Sequence, residues 1–218
     1  MSGRATALEL RRPDGQTAKF VVRRHRGAAA ELRLLGLLRE AGVPAPEPCL
    51  AGGDYVVTAF IEGEAGAHKG DPVELATTLA ELHRADWTGV DLSFLPRMSN
   101  QNDAVLLHGD FWPGNTLWRQ GKVVALIDWE DAAVGDPLAD LGNGRLEVLF
   151  AFGEDGMNEF TDVYRTAMPE LDYADLPRWD LFAVRRLVPE IPKWGLDPTK
   201  DEELRRMGEW FAARATSP

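Results

Sequence analysis

The residues best suited to chemistry are three oxygen-bearing side chains in the middle of the chain. Asp110 and Asn115 lie in residues 108–115, which read His-Gly-Asp-Phe-Trp-Pro-Gly-Asn. Asp128 follows thirteen residues after Asn115, directly behind an apolar run. Carboxylate and amide oxygens are hard ligands of the kind that Mg²⁺ takes, together with water and phosphate oxygens. The residue types therefore favour a site that handles phosphate through a metal ion.

Phosphoryl transfer uses such a set of side chains. One carboxylate orients the acceptor hydroxyl and takes its proton, while an Asn and an Asp hold the metal that bridges the nucleotide phosphates. A single Asp in a loop is far more often a turn residue. An Asp, an Asn five residues later and an Asp at the end of the next apolar run are an uncommon combination by chance. The combination therefore favours catalysis over a polar loop that merely caps strands.

Two short apolar runs must position these side chains, at residues 105–107 and 123–127. Each run is typical of a β-strand, and each ends at a polar cluster. Two strands with a polar loop between them can bring Asp110, Asn115 and Asp128 to one end. The sequence thus predicts two carboxylates and an amide oxygen around one point.

The segments around these residues resemble the signature of the aminoglycoside phosphotransferase and choline kinase family. The resemblance is carried by residues 108–115, by Ile-Asp-Trp-Glu at 127–130, and by Gly-Asp-Pro at 135–137 followed by Asp140 and Leu141. Members of the family are small-molecule kinases with a protein-kinase-like fold. The resemblance therefore implies an α+β protein of two lobes, with a reduced β-rich N-lobe and a mainly helical C-lobe.

The resemblance also assigns a role to each polar residue of this region. Asp110 would be the catalytic base, and Asn115 and Asp128 would hold Mg²⁺. Asp140 would brace the catalytic loop through hydrogen bonds, and His108 would be an architectural residue. ATP is the implied phosphoryl donor, and a small hydroxylated molecule is the implied acceptor.

Residues of the first lobe are implied to bind the nucleotide. Residues 20–23, Phe-Val-Val-Arg, stand where the kinase fold has a Val-Ala-Ile-Lys-type strand. Arg23 would contact the phosphates and pair with Glu31 on the following helix. The alternative for both is a solvated charge on a strand edge or helix surface. In a hinge-like segment, the Ala59 carbonyl and the Ile61 amide would bind the adenine edge.

Local patterns predict the elements of the first lobe. Residues 7–10 and 20–23 are β-type runs on either side of Arg-Pro-Asp-Gly at 12–15, which predicts an antiparallel hairpin. A leucine-rich helical pattern opens at Gly27, and residues 55–61 form a buried-type strand.

The boundary between the lobes is predicted at the segment Glu-Gly-Glu-Ala-Gly, residues 62–66, which has the composition of a flexible connector. We therefore expect a nucleotide-binding lobe at residues 1–61 and a catalytic and acceptor-binding lobe at residues 62–218. In the second lobe, residues 72–86 predict a helix capped by Asp71, and residues from about 138 onward are mainly helical.

Composition excludes several classes of partner. With 24 basic and 35 acidic residues the net charge is -11, which repels nucleic acid and anionic lipid. The same charge mildly favours a cationic acceptor, although solubility explains it equally well. One cysteine, no N-terminal apolar run and no apolar stretch of membrane-spanning length predict a cytoplasmic protein.

Two segments are shorter than the resemblance implies. Little sequence precedes the first strand, so either the given start lies downstream of the true one or the loop that covers the nucleotide is reduced, with Gly3 as the remnant of its turn. The segment between His83 and His108 is also short, so the acceptor site is expected mostly from the C-terminal helices. Acidic residues there would either hold a cationic acceptor or form a solvated face: Glu147, Glu154, Asp155, Glu159 and Asp162.

Two other functions stay open at this point. One is a catalytically impaired, kinase-like module that binds nucleotide through a truncated first lobe. The other is a metal-dependent hydrolase that uses the same carboxylates. The presence of Asp110, Asn115 and Asp128 together favours an active enzyme, and the hinge-like segment favours a kinase over a hydrolase.

Overall fold

The computed structural model describes residues 5–11, 14–66 and 70–216. Gly3, Arg12 and Pro13, which the sequence analysis singled out, lie outside these ranges. Within the described residues, a four-stranded sheet with one helix precedes a larger and mainly helical part. This arrangement confirms the predicted α+β class.

The sheet of the first part is antiparallel throughout, in the order β1-β2-β4-β3. The predicted hairpin is present, with Thr6 opposite Val22 and Arg11 opposite Thr17. Its four strands are β1 (Thr6–Arg11), β2 (Thr17–Arg24), β3 (Pro48–Gly52) and β4 (Tyr55–Ala59).

Helix α1 (Ala28–Glu40) packs against β3 and β4. Its leucines at 34, 35 and 38 are fully buried, as the leucine-rich pattern predicted. The chain leaves the helix through Gly42, whose φ of +79° lies in the left-handed region that favours glycine. The helix also buries Glu31, so a charged residue enters the interior of the first part.

Four helices build most of the second part. Helix α2 begins as predicted, because Asp71 accepts a hydrogen bond from the amide of Val73 at 2.8 Å and Pro72 occupies the first position. Helix α3 is interrupted at Gly153, where φ is +77° and ψ is -173°. The helices are α2 (Pro72–Arg84), α3 (Leu138–Ala167), α4 (Leu176–Leu187) and α5 (Pro198–Thr216).

Two small antiparallel pairs of strands lie between α2 and α3. Strand β5 (Val105–Leu107) pairs with β8 (Ala133–Gly135), and β6 (Thr116–Arg119) pairs with β7 (Lys122–Leu126). The two predicted strands, β5 and β7, are thus present but are paired with two others that the sequence analysis did not identify. Strands of three or four residues are too short to show a hydrophobic period.

The segment at residues 62–66 is less free than its composition indicated. Glu64 and Trp118 exchange two backbone hydrogen bonds, of 2.8 and 2.9 Å, so the connector pairs with β6. Another backbone bond, from the amide of Leu126 to the carbonyl of Pro44 at 2.8 Å, also joins the two parts. The division at residues 61 and 62 remains a prediction.

Buried apolar side chains from α1, α2, α3, α4 and the short strands form one continuous core. Phe111 and Trp129 are 1% and 2% exposed, and each is the immediate neighbour of a predicted site residue. The core therefore fixes the backbone that carries Asp110 and Asp128. None of the helices in the described ranges is long and apolar enough to cross a membrane.

Candidate active site

The loop that carries Asp110 is held by the carboxylate of Asp140. One oxygen of Asp140 accepts the amide of His108 at 2.6 Å, and the other accepts the amide of Gly109 at 2.9 Å. Gly109 has a φ of +80°, and a Cβ there would lie 2.0 Å from the carbonyl oxygen of Asp131. The bracing expected of Asp140 is therefore present, and the loop requires a glycine at position 109.

A second layer of hydrogen bonds orients Asp140. His83 Nε2 lies 3.3 Å from Asp140 Oδ2, and His83 Nδ1 lies 2.6 Å from the hydroxyl of Tyr164. Burial alone would raise the pKa of Asp140. The hydrogen bond and charge of His83, together with the amide of His108, outweigh burial and lower this pKa. Asp140 therefore stays an anion beneath the loop.

The side chain of His108 is architectural, as expected. It is fully buried and donates from Nε2 to the carbonyl of Ile127 at 3.0 Å. Burial lowers the pKa of His108, with opposing contributions from Asp140 and Asp110, so the imidazole is neutral at physiological pH. It thereby connects the loop to the strand that leads to Asp128.

Asp110 is held at both carboxylate oxygens. Asn115 Nδ2 donates to Oδ2 at 3.0 Å, and the guanidinium of Arg186 donates to Oδ1 at 2.5 Å. Burial raises the pKa of Asp110, although the charge of Arg186 opposes the rise. The predicted base is therefore oriented from two sides in a partly desolvated position, which suits a group that must accept a proton.

Asn115 and Asp128 are brought together by the backbone. The amide of Ile127 donates to the carbonyl of Asn115 at 2.9 Å, which places the next residue, Asp128, beside Asn115. Asp128 has φ 68° and ψ 61°, a left-handed conformation that non-glycine residues adopt rarely. Such strain is characteristic of functional positions.

The chemistry of these two side chains fits Mg²⁺. Because Asn115 uses its amide nitrogen on Asp110, its amide oxygen is the atom left for a cation. In the described residues no group of three or more His, Cys, Asp and Glu is arranged to hold a metal. Mg²⁺ needs no such group, since it is commonly held by one or two carboxylates, water and substrate phosphates. Asn115 and Asp128 are thus suited to hold Mg²⁺ together with a nucleotide.

Arg23 connects the first sheet to this site. Its guanidinium donates to Glu31 Oε1 at 3.0 Å and to Asp128 Oδ1 at 2.7 Å. The Arg23 side chain is 14% exposed, and that of Glu31 is 3% exposed. Glu31 also contacts His25 Nε2. The expected pair of Arg23 and Glu31 is therefore present, and the alternative of two solvated surface charges does not hold.

The contacts of the hinge residues, Ala59 and Ile61, do not by themselves indicate a role in binding adenine. Ala59 ends β4 opposite Phe20, and its amide donates to the carbonyl of Glu47 at 2.9 Å. The chain then runs through Ile61 towards the connector that pairs with β6. The adenine contacts expected of the Ala59 carbonyl and the Ile61 amide stay predictions.

Arg186, which no sequence pattern singled out, reaches the site from the last turn of α4. Its guanidinium lies 2.5 Å from both Asp110 Oδ1 and the carbonyl of Gly109, and 3.7 Å from Asp131 Oδ2. The sequence separation from Asp110 is 76 residues. The only sequence signal is a pair of arginines at positions 185 and 186, and arginine pairs are common on helix surfaces.

The five acidic residues of α3 that were candidates for the acceptor site divide into two kinds. Glu147 is 8% exposed, and burial together with the negative charge of Asp110 raises its pKa to about 8. The other four are exposed and form the solvated face that was one of the two expected alternatives: Glu154, Asp155, Glu159 and Asp162. Glu147 is thus near enough to Asp110 for the two carboxyl groups to interact electrostatically.

Comparison with known proteins shows what the chain is similar to. The model of the phosphotransferase enzyme family matches residues 2–97 and 87–182. Among curated proteins, acyl-CoA dehydrogenase family member 11 of Pongo abelii is 39% identical over 46 residues, which are 20% of this chain and 6% of that protein. The match to acyl-CoA dehydrogenase family member 11 therefore covers only a small part of the length of that protein.

Solved structures of similar fold cover almost the whole chain. The macrolide 2'-phosphotransferase MphH from Brachybacterium faecium has a TM-score of 0.63 and 18% identity, over 97% of this chain and 88% of its own. The streptomycin–ATP complex of APH(2")-IIa has a TM-score of 0.61 and 17% identity, over 88% and 86%. A thermostable mutant of APH(4)-Ia with AMP-PNP and hygromycin B has a TM-score of 0.64 and 15% identity, over 100% and 94%.

The family match spans most of the chain, and the fold likeness extends over both lobes. The motif residues that carried the resemblance are also the residues that the structure connects by hydrogen bonds. The chain therefore belongs to the phosphotransferase enzyme family and has its protein-kinase-like fold.

Proposed function

We propose that this enzyme is a kinase that moves the γ-phosphoryl group of ATP to a hydroxyl of a small polar molecule with the help of Mg²⁺. The observation that carries the proposal is the connected set of Asp110, Asn115 and Asp128. Arg23, on the first sheet, donates a hydrogen bond to the carboxylate of Asp128. Such a set supplies a base, two metal ligands and a phosphate-binding cation, which are the parts that phosphoryl transfer requires.

The proposed reaction has one displacement step. The acceptor oxygen forms a bond to the γ-phosphorus while the bond from that phosphorus to the β,γ-bridging oxygen breaks. The hydroxyl proton passes to Asp110, and ADP leaves with the electron pair of the broken bond. Asn115 holds Asp110 in the orientation for this transfer. Bound Mg²⁺ would supply charge neutralisation on the nucleotide phosphates.

Arg23 has the position needed to bind nucleotide phosphates. It lies on β2 beside the candidate metal ligand Asp128, and Glu31 fixes its guanidinium from behind. A guanidinium presents several parallel N–H groups and can bind two phosphate oxygens at once. Ala59 and Ile61 would bind the adenine edge. Nucleotides occupy two of the similar structures, as ATP in one and AMP-PNP in the other, which supports a nucleotide as the donor here.

The acceptor is proposed as a class: an aminoglycoside, an amino alcohol or a sugar. Two of the similar structures contain streptomycin and hygromycin B, both of them hydroxylated and polar. Fold alone does not determine the substrate of a kinase. A screen for transfer to hydroxylated metabolites and aminoglycosides, in the presence of Mg-ATP, would identify the compound.

Nucleotide binding can be tested without knowing the acceptor. We expect millimolar Mg-ATP to raise the melting temperature of the wild-type protein, because a ligand that binds only the folded state stabilises it. Asp128→Ala should lose this shift, and Asp155→Ala, an exposed change on α3, should retain it. No shift in the wild-type protein would contradict the proposal.

The same experiments separate the two rival functions. A shift without transfer to any acceptor or to water would indicate a nucleotide-binding module. Phosphatase activity without nucleotide, lost in Asp110→Ala, would indicate a metal-dependent hydrolase. Transfer that requires both Mg-ATP and Asp110 would support the kinase.

A further inference from the structure

Arg186 pairs with Asp110, whereas Arg23 pairs with Asp128. The guanidinium of Arg186 donates to the carbonyl of Gly109 and to Oδ1 of Asp110, both at 2.5 Å. The side chains of Arg186 and Asp110 are 32% and 28% exposed, so both are partly accessible to solvent. A guanidinium has five N–H donors, and these two contacts use two of them.

The helix that carries Arg186 is held firmly. Its neighbours Ala183 and Leu187 are 1% and 8% exposed, and Arg186 lies between them on α4. A buried ion pair joins α4 to α3, with Asp180 accepting from the Nε and NH2 groups of Arg145 at 3.0 and 3.1 Å. The guanidinium of Arg186 is thus positioned by a packed helix rather than by a surface loop.

The charges at the site require a cation at this point. Carboxylates predominate there, because Asp128, Glu130 and Asp131 accompany Asp110. Arg23 is already bonded to Glu31 and Asp128 on the nucleotide side. In the described part of the chain, Arg186 is the arginine or lysine that ion-pairs with Asp110. A phosphoryl group that approaches Asp110 adds further negative charge.

Pairing with an arginine weakens a carboxylate as a base, so the contact must have another benefit. In phosphoryl transfer through a loose transition state, charge spreads over the three equatorial phosphoryl oxygens and little covalent chemistry is left to the protein. Preorganised positive charge is then worth more than a strong base. A weaker base at Asp110 is therefore compatible with catalysis by electrostatic stabilisation.

We propose that Arg186 is a further catalytic residue, whose guanidinium donates to the phosphoryl group while that group passes from ATP to the acceptor. This inference rests on the proposed kinase function. Arg186 keeps its bond to Gly109 and directs its remaining N–H groups at the equatorial oxygens. It makes no covalent bond and transfers no proton, and the proton of the acceptor still goes to Asp110.

The test uses Mg-ATP and water as the acceptor, so that the natural acceptor need not be known. Arg186→Ala should lower the kcat of ATP hydrolysis by about 100- to 1000-fold, the usual effect of removing a group that stabilises transition-state charge. The Kd for Mg-ATP, measured by calorimetry, should change by no more than about twofold, because the contact forms in the transition state. Arg185→Ala, the exposed neighbour, is the matched control and should keep the wild-type kcat.

Chemical rescue distinguishes a catalytic role from a structural one. Added guanidinium ion, far below denaturing concentrations, should restore part of the turnover of Arg186→Ala and none of that of Asp110→Asn. Arg186→Lys keeps the charge but not the planar fork, and should give an intermediate kcat. If Arg186→Ala does not fold, this second variant and its partial activity still test the inference.

The outcomes separate the inference from the function on which it rests. Wild-type protein that neither binds nor hydrolyses Mg-ATP would overturn both. Turnover that is lost in Asp110→Asn but retained in Arg186→Ala and Arg186→Lys would overturn the role of Arg186 alone. So would a loss of turnover in Arg186→Ala that is matched by an equal loss of affinity for Mg-ATP, or one that guanidinium ion does not rescue.

Discussion

At the scale of single residues, the anion at Asp140 decides the shape of the catalytic loop. Three donors surround its carboxylate: the amides of His108 and Gly109 and the imidazole of His83. An amide group at this position would offer one oxygen and one nitrogen, and the nitrogen would oppose an N–H donor. Replacing the charge therefore leaves a buried donor without an acceptor.

We predict that Asp140→Asn lowers the free energy of unfolding at neutral pH by about 1.5–3 kcal/mol, the range for hydrogen bonds to charged groups. Turnover should fall with it, because the loop before Asp110 loses its anchor. Urea unfolding measures the first effect. Asp162→Asn, an exposed change on the same helix, should stay within about 0.5 kcal/mol of the wild type.

The pH dependence of this effect has a definite sign. The pKa of Asp140 is lowered in the folded state, so its stabilisation is complete above the ordinary Asp pKa of about 4. As the pH falls below that value the unfolded chain takes up the proton first, and the stabilisation is lost as the pH falls through the lowered pKa of the folded state. The difference in free energy of unfolding between wild type and Asp140→Asn should therefore shrink in acid. A difference that grows in acid would contradict this explanation.

The pKa of Glu147 is shifted in the direction opposite to that of Asp140. This pKa is raised to about 8, mainly by burial, while an unfolded Glu titrates near 4.3. The folded protein thus holds an extra proton between these values, and stability falls as the pH rises through this range. Glu147→Gln carries no such proton. We predict that the free energy of unfolding of this variant equals that of the wild type near pH 4. By pH 8 it should exceed the wild-type value, by up to about 1.4 kcal/mol for each unit by which the pKa of Glu147 is raised.

Chemical denaturation at several pH values measures this difference. Glu159→Gln, an exposed change on the same helix, should show no pH-dependent gain. A Glu147→Gln variant with the same pH profile as the wild type would show that Glu147 is ionised in the folded protein.

At the scale of elements, the close approach of α3 and α4 determines where Arg186 lies. A Cβ at Gly142 would lie 2.8 Å from the carbonyl carbon and 2.9 Å from the carbonyl oxygen of Trp179. Main chain rather than a flexible side chain faces this position, so a larger residue must push the helices apart. The glycine therefore serves the catalytic site indirectly, by letting α4 approach.

We predict that Gly142→Ala lowers both the melting temperature and the turnover, by displacing α4 and with it the guanidinium of Arg186. Gly36→Ala is the matched control. Gly36 lies in α1 with nothing within 4 Å of its missing Cβ, so alanine should stabilise that helix by about 0.5–1 kcal/mol. An active and stable Gly142→Ala variant would show that the helix spacing is not needed.

The elements were predictable to the extent that they are long or marked by turn residues. The hairpin of β1 and β2, helix α1 and helix α2 follow from their patterns and caps. Strands β3, β6 and β8 do not, because three to five residues carry no clear period and tertiary pairing decides them. The connector was expected to be flexible from composition, which contains no information about its pairing with Trp118.

At the scale of the whole molecule, Arg23 joins the two parts of the fold at the site. It extends from β2 to Asp128, which follows β7 in the second part, a separation of 105 residues. Because nucleotide phosphates would lie at this junction, the contact couples nucleotide binding to the relative position of the two parts.

We predict that Arg23→Lys weakens the binding of Mg-ATP about tenfold, equivalent to the loss of one hydrogen bond. The lysine ammonium keeps the charge but lacks the planar guanidinium, which can bond to Glu31, Asp128 and a phosphate at the same time. Calorimetry with Mg-ATP measures the affinity. Arg24→Lys is the matched control, since Arg24 is exposed and contacts Asp54. Equal affinities for the two variants would exclude Arg23 from the phosphate site.

The sequence was most informative where the site is local in the chain. Asp110, Asn115 and Asp128 lie within nineteen residues, and their spacing reveals them. The pairing of Arg23 with Glu31 followed from the resemblance to a known family. Arg186 reaches Asp110 from α4, and Glu147 on α3 is influenced by the charge of Asp110, only through the folding of the chain, which no spacing along the sequence records.

The central claim, that Asp110 is the base of a kinase site, is tested most directly by transfer of a labelled γ-phosphoryl group from Mg-ATP. Wild type and Asp110→Asn would be compared in the presence of an acceptor found by screening, or with water alone, with Mg-ATP affinity measured for both. We predict that Asp110→Asn binds Mg-ATP as the wild type does and loses phosphoryl transfer by at least about 100-fold. Transfer by Asp110→Asn at the wild-type rate would contradict the account.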